Sequence, residues 1–146
     1  MLEVFIEYLG ITLSIGLAAI GAGLAISSVG SALSGAITEK PETFAKLLIP
    51  VVLGEAIAIY GMLVSFIILS TGGEPTWDFA FKAVCAGAIT GVTGMASGIG
   101  IASTGSAMAS AIAEKPTVFS KSMITVVLAE AIAIYGLLIA FMLLMQ

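Results

Sequence analysis

Val51-Val52-Leu53-Gly54-Glu55-Ala56-Ile57-Ala58-Ile59-Tyr60-Gly61 and Val126-Val127-Leu128-Ala129-Glu130-Ala131-Ile132-Ala133-Ile134-Tyr135-Gly136 are near-copies of one another, 75 positions apart, and each sets one glutamate inside a long apolar run. A charged side chain at the centre of a membrane helix costs at least ~2.5 kcal/mol on insertion scales, so a carboxylate that persists there marks a functional site by default. The remainder of the chain decides whether these runs are membrane helices, and whether the two glutamates share a task.

Composition answers the first question. The chain has 146 residues, of which 60% are hydrophobic and only 10% charged, with a mean hydropathy of +1.20. A soluble domain of this size has no use for so much apolar surface, because its exterior would have nothing to offer water. The formal charge of -4 rests on few residues and excludes nucleic acid as an expected partner. Histidine and arginine are absent, and the single cysteine, Cys85, cannot close a disulfide within the chain. The N-terminus, Met1-Leu2-Glu3-Val4-Phe5-Ile6-Glu7, lacks the basic start of a signal peptide, so the first apolar run is expected in the mature protein.

Four apolar segments, at 9–37, 47–70, 80–112 and 122–145, each exceed the ~20 residues that span a hydrocarbon core. They are separated by Thr38-Glu39-Lys40-Pro41-Glu42, by Ser70 to Asp78, and by Glu114-Lys115-Pro116-Thr117, where charge and proline favour interfacial turns. A bilayer admits only helices or closed barrels, and these runs lack the alternation of a barrel strand. The expected fold is an all-α membrane protein with four transmembrane helices.

The second half of the chain repeats the first. Between 36–69 and 111–144, 21 of 34 positions are identical without a gap. The repeating unit is a two-helix hairpin, giving 1–75 and 76–146 as tandem halves. Because a hairpin crosses twice and returns, both point the same way, whereas the inverted repeats of many transporters need an odd number of crossings. Lys40, Lys46, Lys115 and Lys121 lie at the two hairpin turns, while the termini and central loop carry Glu3, Glu7, Glu74 and Asp78 against Lys82. The positive-inside rule then places the turns in the cytoplasm and the termini outside, with Phe5, Tyr8, Trp77, Phe79 and Phe81 as outer interfacial anchors.

The two helices of each hairpin differ in kind. The first and third segments hold most of the glycines, including Gly10, Gly16, Gly21, Gly23, Gly87, Gly91, Gly94 and Gly98, and no aromatic between their ends. Small side chains let membrane helices approach closely, so these odd helices are expected to form a crowded inner layer. The even helices carry the bulky residues suited to lipid.

Glu55 lies nine residues beyond Lys46, or ~13 Å along a helix, which is near mid-membrane, and Glu130 shares that depth. A purely structural carboxyl would gain little, since interhelical polar bonds contribute only about 0.6 kcal/mol on average. A reversible ion carrier, neutral in lipid and charged only beside water or a cation, is the better reading. Tyr60 and Tyr135, five residues after each glutamate, are candidates to help close the sites. Folding each hairpin about its turn brings residue 25 or so level with Glu55 and residue 100 or so level with Glu130, which makes Ser28 and Ser103 candidate hydrogen-bond partners.

With its Gly-Ala-Gly and Gly-Ile-Gly stretches, its Glu-Lys-Pro turns and its doubled Glu-Ala-Ile-Ala-Ile-Tyr-Gly, essentially the whole chain resembles the proteolipid of V/A-type rotary ATPases, the rotor-ring c or K subunit in its duplicated four-helix form. The resemblance implies identical subunits in a membrane ring, a membrane stator subunit that loads and unloads the ion at each glutamate, and no catalysis by the chain itself. It also implies that the turns, with Glu39, Lys40, Pro41, Glu114, Lys115 and Pro116, face the central-stalk subunits. A cell-membrane location follows from the same resemblance. Gly21-Ala22-Gly23 lacks the setting and the lysine of a phosphate loop, so nucleotide chemistry is expected on partners.

Two departures bear on the cargo. Many duplicated relatives keep a carboxylate in one hairpin only, while this chain has two, implying two ions per subunit. Sodium-carrying relatives place a glutamine on the glycine-rich helix level with the carboxylate; here those positions are Ile26 and Ile101, and the only glutamine is Gln146. Ala56 and Ala131 likewise stand where sodium sites often have a hydroxyl. The transported ion is expected to be H+, with a Na+ rotor of the same family as the alternative, and a small proton-coupled transporter as the reading from another class. No cofactor and no bound metal are expected.

Overall fold

A computed structural model describes residues 1–71 and 76–146. Its helices are α1 (Leu2–Glu39), α2 (Phe44–Thr71), α3 (Trp77–Glu114) and α4 (Phe119–Leu144), and there is no strand among the described residues. Each helix encloses one of the four apolar runs to within a residue. Glu74 and the middle of the expected central loop lie outside the described residues. At 1.5 Å per residue, the 38 residues of α1 and of α3 reach ~57 Å, well beyond the ~30 Å hydrocarbon core. All four helices are long and apolar enough to cross a membrane.

The hairpin turns have a local cause. A residue before proline is excluded from the helical region by the proline ring. Lys40 (φ −136, ψ 80) and Lys115 (φ −139, ψ 93) accordingly leave the helix, and Pro41 and Pro116 each open a short 3-10 turn that leads into α2 or α4. The Thr43 hydroxyl donates to the Lys40 carbonyl at 2.7 Å and secures the first turn. At the other end, the Thr76 hydroxyl caps α3 by accepting from the Phe79 amide at 3.3 Å, and Asp78 pairs with Lys82 at 2.6 Å one turn on. Trp77 and Phe81, both exposed, stack beside them with ring centres 5.8 Å apart, while Phe79 is half-buried and packs against the core.

Both hairpins share one register. Ala25 faces Gly54 and Ala18 faces Gly61 in the first; Gly100 faces Ala129 and Thr93 faces Gly136 in the second. The second set continues the first, advanced by the repeat. The expected levels of Glu55 with residue 25 and Glu130 with residue 100 are therefore observed.

The glycine-rich helices α1 and α3 run parallel and touch through their backbones. A methyl group added to Gly87 would run into Gly10, and one added to Gly98 would run into Gly21. The two contacts are 11 residues apart on each helix, about three turns, so they fall on one face. α2 and α4 flank this pair and display Phe66, Leu69, Leu128 and Met142 outward, as expected for a lipid-facing layer. Pro50 sits inside α2 and is fully buried. It cannot donate to the Lys46 carbonyl one turn back, and its ring is accommodated opposite Gly105, where a side chain would crowd it.

Polar ties distinguish the halves. In the first hairpin the buried Ser14 hydroxyl donates to the Gly61 carbonyl at 2.9 Å and Ser65 donates to the Ile11 carbonyl at 3.0 Å. The repeat mates of these serines are Ile89 and Ala140, so the second hairpin has no counterpart to either bond.

The glycine contacts predict a sharp contrast. Gly98→Ala forces α1 and α3 apart against unyielding backbone, an overpacking loss of about 1–3 kcal/mol. Gly35→Ala meets nothing within 4 Å and gains up to ~1 kcal/mol in helix propensity. Thermal unfolding in detergent should fall for the first and hold or rise for the second.

Candidate functional site

The two glutamates of the repeat sit at the same depth in different surroundings. Glu130 is 9% exposed, whereas Glu55 lies on an open face of α2. Each is eleven residues into its helix, ~16 Å from the start.

Glu130 is closed over by the other hairpin. The Tyr60 hydroxyl, on α2, donates to Glu130 Oε1, on α4, at 2.7 Å. The tyrosine expected to assist Glu55 therefore serves the second glutamate. Helical geometry explains this: five residues advance the chain by about 140° beyond a full turn, so Tyr60 cannot share a face with Glu55. Tyr135, its repeat mate, is 63% exposed and makes no such bond. Among the described residues neither Ser28 nor Ser103 hydrogen-bonds to a glutamate; Ser28 is half-buried and Ser103 exposed.

One further buried polar residue had no signal in the pattern. Ser97 is fully buried, and its hydroxyl has no hydrogen-bond partner. On α3 it lies between Thr93, which faces Gly136, and Gly100, which faces Ala129, and so falls at the level of the α4 turn that follows Glu130. Its repeat mate is Ala22, so the duplication itself gave no reason to single it out. Glu7 is also buried, but it lies in the second turn of α1, far along the chain from either glutamate. Ile101 is fully buried in the core and Ile26 is exposed, so neither offers an oxygen to a cation beside the carboxylates. No group of three His, Cys, Asp or Glu residues is placed to hold a metal among the described residues.

Away from the carboxylates, at one end of the bundle, the two hairpin turns lie side by side. Lys40 Nζ donates to the Glu114 carbonyl at 3.1 Å, and Lys46 Nζ stands 5.8 Å from the centre of the Phe119 ring, within cation–π range. Glu39, Pro41, Glu114 and Lys115 are exposed, and Pro116 is half-buried. The turns thus form one polar edge below an apolar bundle.

The repeat of the hairpin along the chain is matched by a known family. The family model for the ATP synthase C subunit matches twice, at residues 9–68 and 84–143. The chain belongs to that family. The K subunit of the A-type ATP synthase of Methanocaldococcus jannaschii is 36% identical over 141 residues, covering 92% of this chain and 60% of that protein, so the chain spans less than two thirds of that relative. The 16 kDa proteolipid of the V-type proton ATPase of Homo sapiens is 29% identical over 140 residues, covering 95% of this chain and 90% of the human one. The corresponding proteolipid of Entamoeba dispar is 33% identical, covering 93% of this chain and 78% of its own length. Within its family the chain is a V/A-type rotor proteolipid, with the duplicated hairpin that the double match requires.

Chemically, Glu130 has one oxygen engaged by a phenol and one left over. That bond must open before the engaged oxygen reacts. A net hydrogen bond of ~1 kcal/mol corresponds to about fivefold. Tyr60→Phe should therefore speed the labelling of Glu130 by dicyclohexylcarbodiimide about fivefold and leave Glu55 at its parent rate, read by peptide mass spectrometry.

Proposed function

We propose that this rotor proteolipid carries protons on Glu55 and Glu130, two per chain, as a subunit of a V/A-type ATPase or ATP synthase. The observation that carries the reading is the Tyr60–Glu130 bond: a carboxyl buried at mid-helix, held by one neutral donor on the adjacent hairpin. A charge there without compensation is strongly disfavoured, whereas a protonated carboxyl bonded to a phenol is neutral and satisfied. The carboxyl travels through lipid as the neutral acid and ionises only beside the aqueous paths of a stator subunit. Moving one charge across the membrane supplies ~2.3 kcal/mol per 100 mV. The human relative is by name part of a proton ATPase, in keeping with this cargo.

Proton cargo is further supported by the buried surroundings of Glu130, where Ile101 offers no oxygen ligand. A sodium ion stripped of water needs several oxygens, and Tyr60 supplies one. The parallel repeat argues against a secondary transporter, whose alternating access uses inverted halves. The polar edge formed by the hairpin turns, with Lys40 tied to Glu114, is the surface proposed to meet the central stalk, on the cytoplasmic side of a cell membrane. The chain itself then needs no bound cofactor.

Reconstituted complex carrying Glu55→Gln and Glu130→Gln together should lose ATP-driven proton pumping, measured by quenching of a pH-sensitive dye. Pumping at the parent rate would overturn the carrier reading. The ion is tested separately: at fixed pH, added Na+ should leave the carbodiimide labelling of both glutamates unchanged, and protection by Na+ would make sodium the cargo.

A further inference from the structure

The Ser97 hydroxyl is fully buried and has no hydrogen-bond partner among the described residues. Other hydroxyls of α3 do find one. Thr90, Thr93, Thr104 and Ser106 each donate to the carbonyl four residues back, at 2.7 to 2.9 Å. Ser97 makes no such local bond, although a buried hydroxyl left unpaired is costly. Its side chain is turned off its own helix.

Helical geometry gives the direction. At about 100° per residue, Ser97 is turned about 60° from Gly94, where an added methyl would meet Ile57 of α2. On its other side, about 40° away, is Thr93, which faces Gly136 of α4. Ser97 thus points between α2 and α4, the two helices that the Tyr60–Glu130 bond joins. The same contacts bracket its depth. Gly94 is opposite Ile57, and from that pair Tyr60 lies farther from the hairpin turns and Ser97 nearer to them. Gly100 is opposite Ala129, and from that pair Ser97 lies three residues farther from the turns and Glu130 only one. In depth, Ser97 falls between Tyr60 and Glu130.

Donor and acceptor counts show what is missing at that point. A neutral carboxyl has one O–H to donate besides its acceptor positions, and a serine hydroxyl has one donor and two acceptor lone pairs. Tyr60 donates to Oε1, the one bond that the Glu130 side chain makes among the described residues, so the acid proton falls to Oε2 without an acceptor. We propose that Ser97 is the second partner of Glu130: its oxygen accepts the proton of the neutral acid and, once that proton has left, its O–H turns to donate to the bared oxygen. This rests on the reading of Glu130 as a proton carrier and adds the residue that satisfies it in both states. A phenol on one oxygen and a hydroxyl on the other meet the demand that lipid cannot. Ala22, the repeat mate of Ser97, has no hydroxyl to offer Glu55, so the two carriers of one chain are unequal within their own hairpins.

The test uses the assembled complex, with Glu55 as internal reference. Ser97→Ala should speed carbodiimide labelling of Glu130 about fivefold and leave Glu55 at its parent rate. Ser97→Cys should behave as Ser97→Ala, because a thiol fills the serine's space yet is only a weak acceptor; a packing effect would instead return Ser97→Cys to the parent rate. The infrared carbonyl stretch of protonated Glu130, identified as the band lost in Glu130→Gln, should move to higher wavenumber in Ser97→Ala, as an acid's carbonyl does on losing a hydrogen bond. Parent-rate labelling in Ser97→Ala or in Ser97→Cys, or an unmoved band, overturns the proposal. The carrier reading fails separately: undiminished pumping in the paired glutamine variant removes it, while labelling and the carbonyl band still report whether Ser97 holds Glu130.

Discussion

A carboxyl group in hydrocarbon has to be neutral, and its polar atoms have to find partners in protein, since lipid offers none. At Glu130 that partner is a phenol on a different hairpin. The demand for a partner therefore fixes where the hairpins sit relative to each other: α2 has to stand beside α4 with Tyr60 at the depth of Glu130. The turns share the same offset, so Lys40 and Lys46 fall on Glu114 and Phe119.

Holding α2 beside α4 requires their inner partners to be thin. The odd helices meet backbone to backbone at Gly10 with Gly87 and Gly21 with Gly98, and any larger residue there would push the outer helices apart and lengthen the phenol–carboxyl contact. The glycines do not serve flexibility in this setting, since none among the described residues adopts a left-handed conformation. Their use is spacing. Association in lipid relies on such close packing because apolar burial gives no net drive between helices already in an apolar medium.

Much of this was legible in the residues. Helix positions followed from the length of the apolar runs, and the facing of residue 25 with Glu55 followed from the turn, because antiparallel helices joined by a short loop leave little freedom in register. The Glu-Lys-Pro turns end α1 and α3 for a reason written in the dipeptide itself. What could not be read was the hand of each side chain around its helix once four helices assemble. Tyr60 looked like the companion of Glu55 because it follows it in the chain, yet the helical rotation turns it to Glu130. Ser97 and the Ser14 and Ser65 ties were equally hidden. They occur once each, and a duplication draws attention to what is repeated.

The unrepeated residues carry their own argument. Ser14 and Ile89, Ser65 and Ala140, Ala22 and Ser97, Pro50 and Thr125 are all repeat mates of unlike chemistry, yet the two hairpins keep one backbone register. Register is therefore set by the small residues and the turns, and the hydroxyls were free to diverge. In the first hairpin they became interhelical bonds nearer the end of α1 that opens the chain; in the second, one remained as a buried hydroxyl without a partner. The repeated Glu and Tyr residues contrast with that drift. Both halves keep them, although within the chain only Tyr60 and Glu130 meet, so the residues outlast the contact that one chain can make with them.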